Sequence, residues 1–191
     1  MDGSNIILVI GGSRSGKSRF AEEYCQKLQM RTGLPVTYVA TCPRFDKEME
    51  ARIDAHIKRR PAEWGCIEEP IHVADRIRQL NESAGILLLD CLSLLLNNWL
   101  WEAESNGREP LPDLTVEQLT VELMEACLSY PHPVIIVTSE VGAGLVPESK
   151  PARLYRDQLG LINQVAARLA SAVYAVIAGI PVNLKEIQAR L

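Results

Sequence analysis

The sequence predicts an α/β fold: a mostly parallel sheet with helices on both faces and a candidate antiparallel edge strand near the end. Three observations carry this prediction. Short continuous apolar runs, such as residues 6–10 and 86–89, read as strands buried on both faces. Longer segments of helical periodicity alternate with them. A glycine-rich run from Gly11 to Ser18 joins the first strand to the first helix, a junction at which α/β proteins bind phosphate.

In chain order, residues 6–10 form the first strand. A helix begins near Lys17, with Phe20, Tyr24 and Leu28 four residues apart on one face. Thr32-Gly33-Leu34-Pro35 stops it, and residues 36–40 form a second strand. Residues 47–59 read as a helix with Met49, Ile53 and Ile57 on one side, closed by Pro61. Residues 75–80 form another helix, and residues 86–89 a third strand ending at Asp90. An apolar helix covers 92–102, a polar loop 105–112, and an amphipathic helix 116–128. Pro133 opens a fourth strand at 134–138. Residues 140–151 form a Gly/Pro-rich loop whose length suggests function. A long helix at 153–172, a fifth strand at 173–178 and the candidate edge strand at 182–185 complete the order.

The 191 residues suffice for one domain with one core, and no internal boundary is visible, so the expectation is a single nucleotide-binding domain over 1–191. Net charge is −4 with no dense Lys/Arg stripe, which argues against nucleic acid as a partner. The start, Met1-Asp2-Gly3-Ser4-Asn5, lacks the features of a signal peptide. The most apolar stretch, 86–101, is interrupted by Asp90, Asn97 and Asn98 and falls short of the ~20 apolar residues of a membrane helix. A cytoplasmic protein without a membrane span is expected. The five cysteines are widely spaced with no C-x-x-C, and read as free thiols.

Gly11-Gly12-Ser13-Arg14-Ser15-Gly16-Lys17-Ser18 fits the P-loop pattern G-x-x-x-x-G-K-[ST]. Its glycines let backbone N–H groups face a phosphate chain, and the helix behind adds its positive dipole end. Lys17 is placed to reach the β- and γ-phosphates, and the Ser18 hydroxyl to ligate Mg²⁺. Such a metal also needs a carboxylate at a neighbouring strand end. Asp90 fits that position; it equally suits the N-cap of the following helix. Glu140 is a second candidate, or else a solvated loop carboxylate.

The N-K-x-D motif of GTPase switches and the L-S-G-G-Q motif of ABC ATPases are both missing. The size suits a small-metabolite kinase. A kinase alone does not explain Arg52-Ile53-Asp54-Ala55-His56-Ile57-Lys58-Arg59-Arg60-Pro61, which places a histidine one turn before a basic cluster. On spacing alone, His56 borders the apolar stripe of its helix, could face inward, and reads first as a helix-flank residue without chemistry.

The chain resembles the bifunctional adenosylcobinamide kinase / adenosylcobinamide-phosphate guanylyltransferases of cobalamin biosynthesis over nearly its whole length. The matching residues are the P-loop through Arg19, Tyr38-Val39-Ala40-Thr41, Glu48-Met49, Arg52-Ile53 with His56, Arg60-Pro61-Ala62 with Trp64, and Glu68. They continue with Asp90-Cys91-Leu92, Val137-Thr138-Ser139-Glu140-Val141-Gly142 with Gly144, Val146 and Pro147, then Arg153, Arg156-Asp157, Gly160 and Asn163-Gln164.

The resemblance implies a P-loop, RecA-like domain, similar to known homotrimers, that performs two steps. It phosphorylates adenosylcobinamide with ATP or GTP. It then passes GMP from GTP, through a histidine, to adenosylcobinamide phosphate. His56 is the implied GMP carrier and Lys17 the second catalytic residue. Thr41, Cys42, Lys58, Arg59, Arg60, Pro61 and Glu68 are implied neighbours of the nucleotide. The 140s loop is implied as a lid or cobinamide-binding segment, and Trp99 and Trp101 as core, subunit-contact or corrin-facing residues. Some members carry Glu where this chain has Asp90, and residues 105–115 match nothing in the family pattern. Two rival readings are a kinase without nucleotidyl transfer and a non-catalytic nucleotide-sensing module.

Overall fold

The computed structural model describes residues 3–43, 60–80 and 82–189. One seven-stranded sheet organises them: β1 (Ile6–Gly11), β2 (Val36–Ala40), β3 (Gly65–Glu68), β4 (Ile86–Asp90), β5 (Val134–Ser139), β6 (Ala172–Ile177) and β7 (Ile180–Asn183), in the order β3-β2-β4-β5-β1-β6-β7. All neighbours pair in parallel except β6 and β7. The predicted α/β fold and its antiparallel edge strand are both present. The helix expected at 47–59 lies outside the described residues.

The apolar runs form strands because alternate side chains feed two separate cores. Ile6, Leu8, Leu87, Leu89, Val134 and Ile136 point to one face. There they pack under α2 (Val73–Gln79), α3 (Leu92–Ser105), α4 (Asp113–Ser129) and α5 (Lys150–Leu169). Ile7, Val9, Tyr38, Leu88, Ile135 and Val137 point to the other, against α1 (Lys17–Thr32) and Trp64. The α1 stripe differs from expectation. Ala21 and Cys25 lie flat against the sheet, while Phe20 and Tyr24 flank them and meet Tyr174 at 5.1 and 5.6 Å between ring centroids. Small residues let the helix approach closely, and the aromatic rings fill the margin.

Several boundaries move. Strand β3 has no counterpart among the strands expected from sequence. Helix α5 begins at Lys150, with the Ser149 hydroxyl accepting the Ala152 N–H and a proline in the first turn, so the preceding loop is shorter than expected. It ends at Leu169 because Ser171 leaves the helix and gives its N–H and its hydroxyl to the Ile6 carbonyl, each at 2.8 Å. Lys185, expected in the edge strand, instead lies in a short helix, α6 (Leu184–Ile187), capped by Asn183. Among the described residues, no helix is long and apolar enough to cross a membrane.

Candidate active site

Parallel register brings the C-terminal strand ends to one edge of the sheet. Gly11 pairs with Ser139, Val137 with Asp90, and Ala40 with both Asp90 and Glu68. Open α/β sheets bind ligands along this edge. Because β5 lies between β1 and β4, the P-loop strand and Asp90 stand two strand spacings apart, roughly 10 Å. That is a gap a triphosphate and its metal can bridge.

The P-loop geometry follows from two glycines. A Cβ on Gly11 would lie 2.6 Å from the Val176 carbonyl and 2.5 Å from the Ser15 hydroxyl. Gly16 caps α1 at φ 96°, a left-handed conformation that a side chain would strain. Between them the Ser15 N–H reaches the Gly12 carbonyl at 3.3 Å, Arg14 sits at φ 54°, and the Gly179 N–H braces the Ser15 carbonyl at 2.8 Å. No acidic residue occupies the first turn of α1, so its exposed N–H groups and dipole remain available for an anion. Lys17 folds back, its Nζ donating to the Gly12 carbonyl at 3.1 Å. Ser13 and Arg14 are exposed, and Gly12, Ser15, Lys17 and Ser18 are half-buried.

Asp90 does not cap the next helix. Cys91 takes the N-cap position with extended backbone and no side-chain capping bond. The Asp90 carboxylate instead accepts a hydrogen bond from the Tyr38 hydroxyl at 3.0 Å. Tyr38 belongs to the α1-side core, so this oxygen is turned to the face that carries the P-loop helix. Lys17 is near enough for its charge to act on the Cys91 thiol, although burial dominates and pushes that thiol up to about 12. The thiol contacts the Ser93 hydroxyl at 2.9 Å, which donates to the Ser139 hydroxyl at 3.2 Å. The ends of β4 and β5 are thereby tied together.

Thr41 is fully buried, and its hydroxyl both donates to the Cys91 carbonyl at 2.9 Å and accepts the Cys91 N–H at 2.8 Å. It shapes the turn after β4. Cys42 and Pro61 are half-buried, and Glu68 is exposed at the end of β3. Arg60 lies over the Tyr38 ring, its Cζ 3.2 Å from the centroid. His56, Lys58 and Arg59 lie outside the described residues. Glu140 is exposed, its carboxylate accepting the Gly142 N–H at 2.6 Å, a turn contact of its own loop. The P-loop with Lys17 and Ser18, Asp90 and Arg60 therefore share one edge of the sheet. Tyr38, which sequence does not mark as a site residue, links the last two.

Two more residues hold the edge together. Asn98, buried in α3, donates to the Thr41 carbonyl at 2.7 Å and the Pro70 carbonyl at 2.8 Å. Asn163 accepts from the Thr138 hydroxyl at 2.7 Å and donates to the Ser139 carbonyl at 3.0 Å. Trp99 is a core residue bonded to the Ile71 carbonyl at 3.1 Å, whereas Trp101 is exposed. In sequence, Asn98 reads only as a polar break in an apolar run.

Thiol reactivity tests this burial. Burial pushes Cys91 and Cys127 up to about 12 and Cys25 higher still, whereas Cys66 is exposed. Near pH 8 the Cys91 and Cys127 thiols are therefore held in the unreactive protonated form. Iodoacetamide should alkylate native protein at Cys66 and spare Cys25, Cys91 and Cys127 until urea is added. Peptide mass spectrometry reads the order, and native labelling of Cys91 at the Cys66 rate would contradict the packing.

Comparison with known proteins bears on the fold and the family. The domain fold is similar to a solved structure described as an ATPase domain (TM-score 0.51, 12% identity, 90% of this chain and 69% of that one), a likeness of fold alone. The chain is 38% identical to the "Bifunctional adenosylcobalamin biosynthesis protein CobU" of Escherichia coli, covering 94% of this chain and 99% of that protein. It is 37% identical to the "Bifunctional adenosylcobalamin biosynthesis protein CobP" of Pseudomonas aeruginosa, covering 93% and 96%. Residues 7–184 match the family described as "Cobinamide kinase / cobinamide phosphate guanyltransferase", and with that span and those relatives the chain belongs to this family.

Proposed function

We propose that this chain, as one nucleotide-binding catalytic domain, phosphorylates adenosylcobinamide and then guanylylates the product. The observation that carries the reading is the meeting of the P-loop, Asp90 and Arg60 at one sheet edge in a member of this family. In the first step the aminopropanol hydroxyl attacks the γ-phosphorus of ATP or GTP, loses its proton, and the nucleoside diphosphate leaves. In the second, an imidazole nitrogen of His56 attacks the α-phosphorus of GTP and pyrophosphate leaves. An oxygen of adenosylcobinamide phosphate then attacks that phosphorus, the N–P bond breaks, and adenosyl-GDP-cobinamide forms.

The P-loop amides and Lys17 hold the phosphates and offset their charge as bonds shift. Arg60, with Lys58 and Arg59, supplies further cations. Ser18 and Asp90 form a hard-oxygen pair suited to Mg²⁺, which when bound would neutralise charge on the phosphate oxygens. Cys42, Pro61 and Glu68 complete the nucleotide's surroundings, while Thr41, fully buried, supports them from beneath instead of lining the pocket. The 140s loop exposes Val141, Leu145 and Val146, apolar surface suited to a corrinoid. Arg153 holds the end of this loop through the Pro147 and Glu148 carbonyls at 3.0 and 2.6 Å.

The working form in this proposal is a cytoplasmic homotrimer. Exposed Ile177, Ile180, Val182, Leu184 and Ile187 around the β6–β7 edge support self-association, and light scattering on purified protein measures it.

The deciding experiment is covalent labelling. Wild-type protein incubated with [α-³²P]GTP should become labelled, and His56→Ala should abolish the label while leaving adenosylcobinamide phosphorylation in place. Unlabelled wild type that still phosphorylates would reduce the chain to a kinase.

A further inference from the structure

Between the metal-side carboxylate and the arginine of the site stands one side chain that neither reaction step employs. Tyr38 lies in the middle of β2, paired in register with Leu88 of β4. Side chains alternate along a strand, so Leu88 and Asp90 share the face that Tyr38 occupies. A phenol is long enough to pass Leu88 and meet Asp90, and its hydroxyl lies 3.0 Å from the carboxylate. The ring beneath that hydroxyl is buried, so the donor is held in place against the carboxylate.

The ring of the same residue is the seat of a cation. The Arg60 guanidinium lies over its face at 3.2 Å, in the attractive part of the ring quadrupole. Among the described residues, Arg60 Nε is buried with no hydrogen-bond partner. Stacking holds the guanidinium by its face, and its N–H donors lie around the edge of that plane, where an anion can meet them. Strand, ring, hydroxyl, carboxylate and guanidinium make one rigid unit, because the ring itself is buried.

We propose that Tyr38 is a positioning residue that fixes Asp90 through its hydroxyl and Arg60 through its ring, thereby setting the spacing between the metal-side and arginine-side contacts of one bound nucleotide. Removing only the hydroxyl releases the carboxylate and affects the metal-dependent part of binding. Removing the ring as well releases the arginine. The proposal rests on the nucleotide-binding reading above.

The test is binding of a fluorescent GTP analogue (mant-GTP), measured in EDTA and in saturating Mg²⁺, with urea midpoints to establish that each variant folds. Tyr38→Phe should lose about fivefold of the Mg²⁺-dependent gain in affinity, the worth of one ordinary hydrogen bond. Asp90→Asn should lose at least as much, and the two changes together should lose no more than Asp90→Asn alone. Tyr38→Leu should further weaken binding in EDTA, and do so only while Arg60 is present. If Tyr38→Phe has the same effect in the Asp90→Asn background as in wild type, or leaves the Mg²⁺ gain intact, Tyr38 is only a core residue and the proposal fails. If wild-type protein binds no mant-GTP under either condition, the nucleotide reading fails and takes the proposal with it.

Discussion

Replacing Lys17 by alanine is expected to remove most of both triphosphate-dependent activities, lowering turnover by on the order of 10²–10³, or about 2.7–4 kcal/mol of transition-state stabilisation. The amides of the P-loop and the end of α1 remain in the variant, so the triphosphate still finds a cradle. What disappears is the ammonium at the lysine position of the P-loop pattern. In the described structure its Nζ rests on the Gly12 carbonyl at 3.1 Å, a contact it can exchange for a phosphate oxygen. Charge moves onto the leaving phosphates in both steps, so the loss should fall on kcat more than on nucleotide affinity. Steady-state phosphorylation of adenosylcobinamide and the rate of label transfer from [α-³²P]GTP measure the two steps separately. Stability should hardly change, because the lysine's bond is to the surface of a loop. Full phosphorylation by Lys17→Ala would remove the P-loop from the mechanism.

The P-loop is legible in sequence because its function belongs to the backbone. Glycine positions and one lysine are local, and they need no distant partner. The four central strands are legible for a related reason: burial on two faces demands uninterrupted apolar residues. Strand β3 has no such constraint. Its four residues lie at the sheet edge, mostly exposed, and pair with β2 alone. The Asp90 contact is hidden in sequence because its partner is 52 residues away, and nothing near Asp90 in the chain distinguishes an N-cap from a side chain held by a distant tyrosine. The stripe on α1 widens for want of size information: periodicity shows the face of Phe20 and Tyr24, which do pack on the sheet at Tyr174, but closeness of approach decides that Ala21 and Cys25 are the fully buried pair.

Asn98→Asp should be strongly destabilising although it conserves side-chain size. It replaces an amide donor by a carboxylate at a site 2% exposed, facing the Thr41 and Pro70 carbonyls at 2.7 and 2.8 Å. Three acceptors then confront one another without a donor, and the charge has no partner. The expected cost near pH 7 is about 3–5 kcal/mol, the range for an uncompensated buried charge, against a total stability of about 5–15 kcal/mol. Asn98→Leu tests the same bonds without charge. It leaves two carbonyls unpaired, and it also removes the Asn98 Oδ1, which among the described residues is buried without a partner, so its cost should be smaller, about 1–3 kcal/mol. The two variants should also differ in pH dependence. Burial beside carbonyls raises the introduced carboxyl's pKa in the folded state above its unfolded value of about 4. The penalty is therefore least below the unfolded pKa, where a protonated carboxyl can again donate, and it grows as pH rises until the folded pKa is passed. Urea unfolding at pH 5 and pH 7, each compared with wild type at the same pH, should show a widening gap for Asn98→Asp and a constant one for Asn98→Leu. Equal and pH-independent losses would mean that the amide is not what ties the loops after β2 and β3 to α3. Those loops carry Cys42 and lead away from Glu68, so the same variants should also weaken nucleotide binding at urea concentrations where they remain folded.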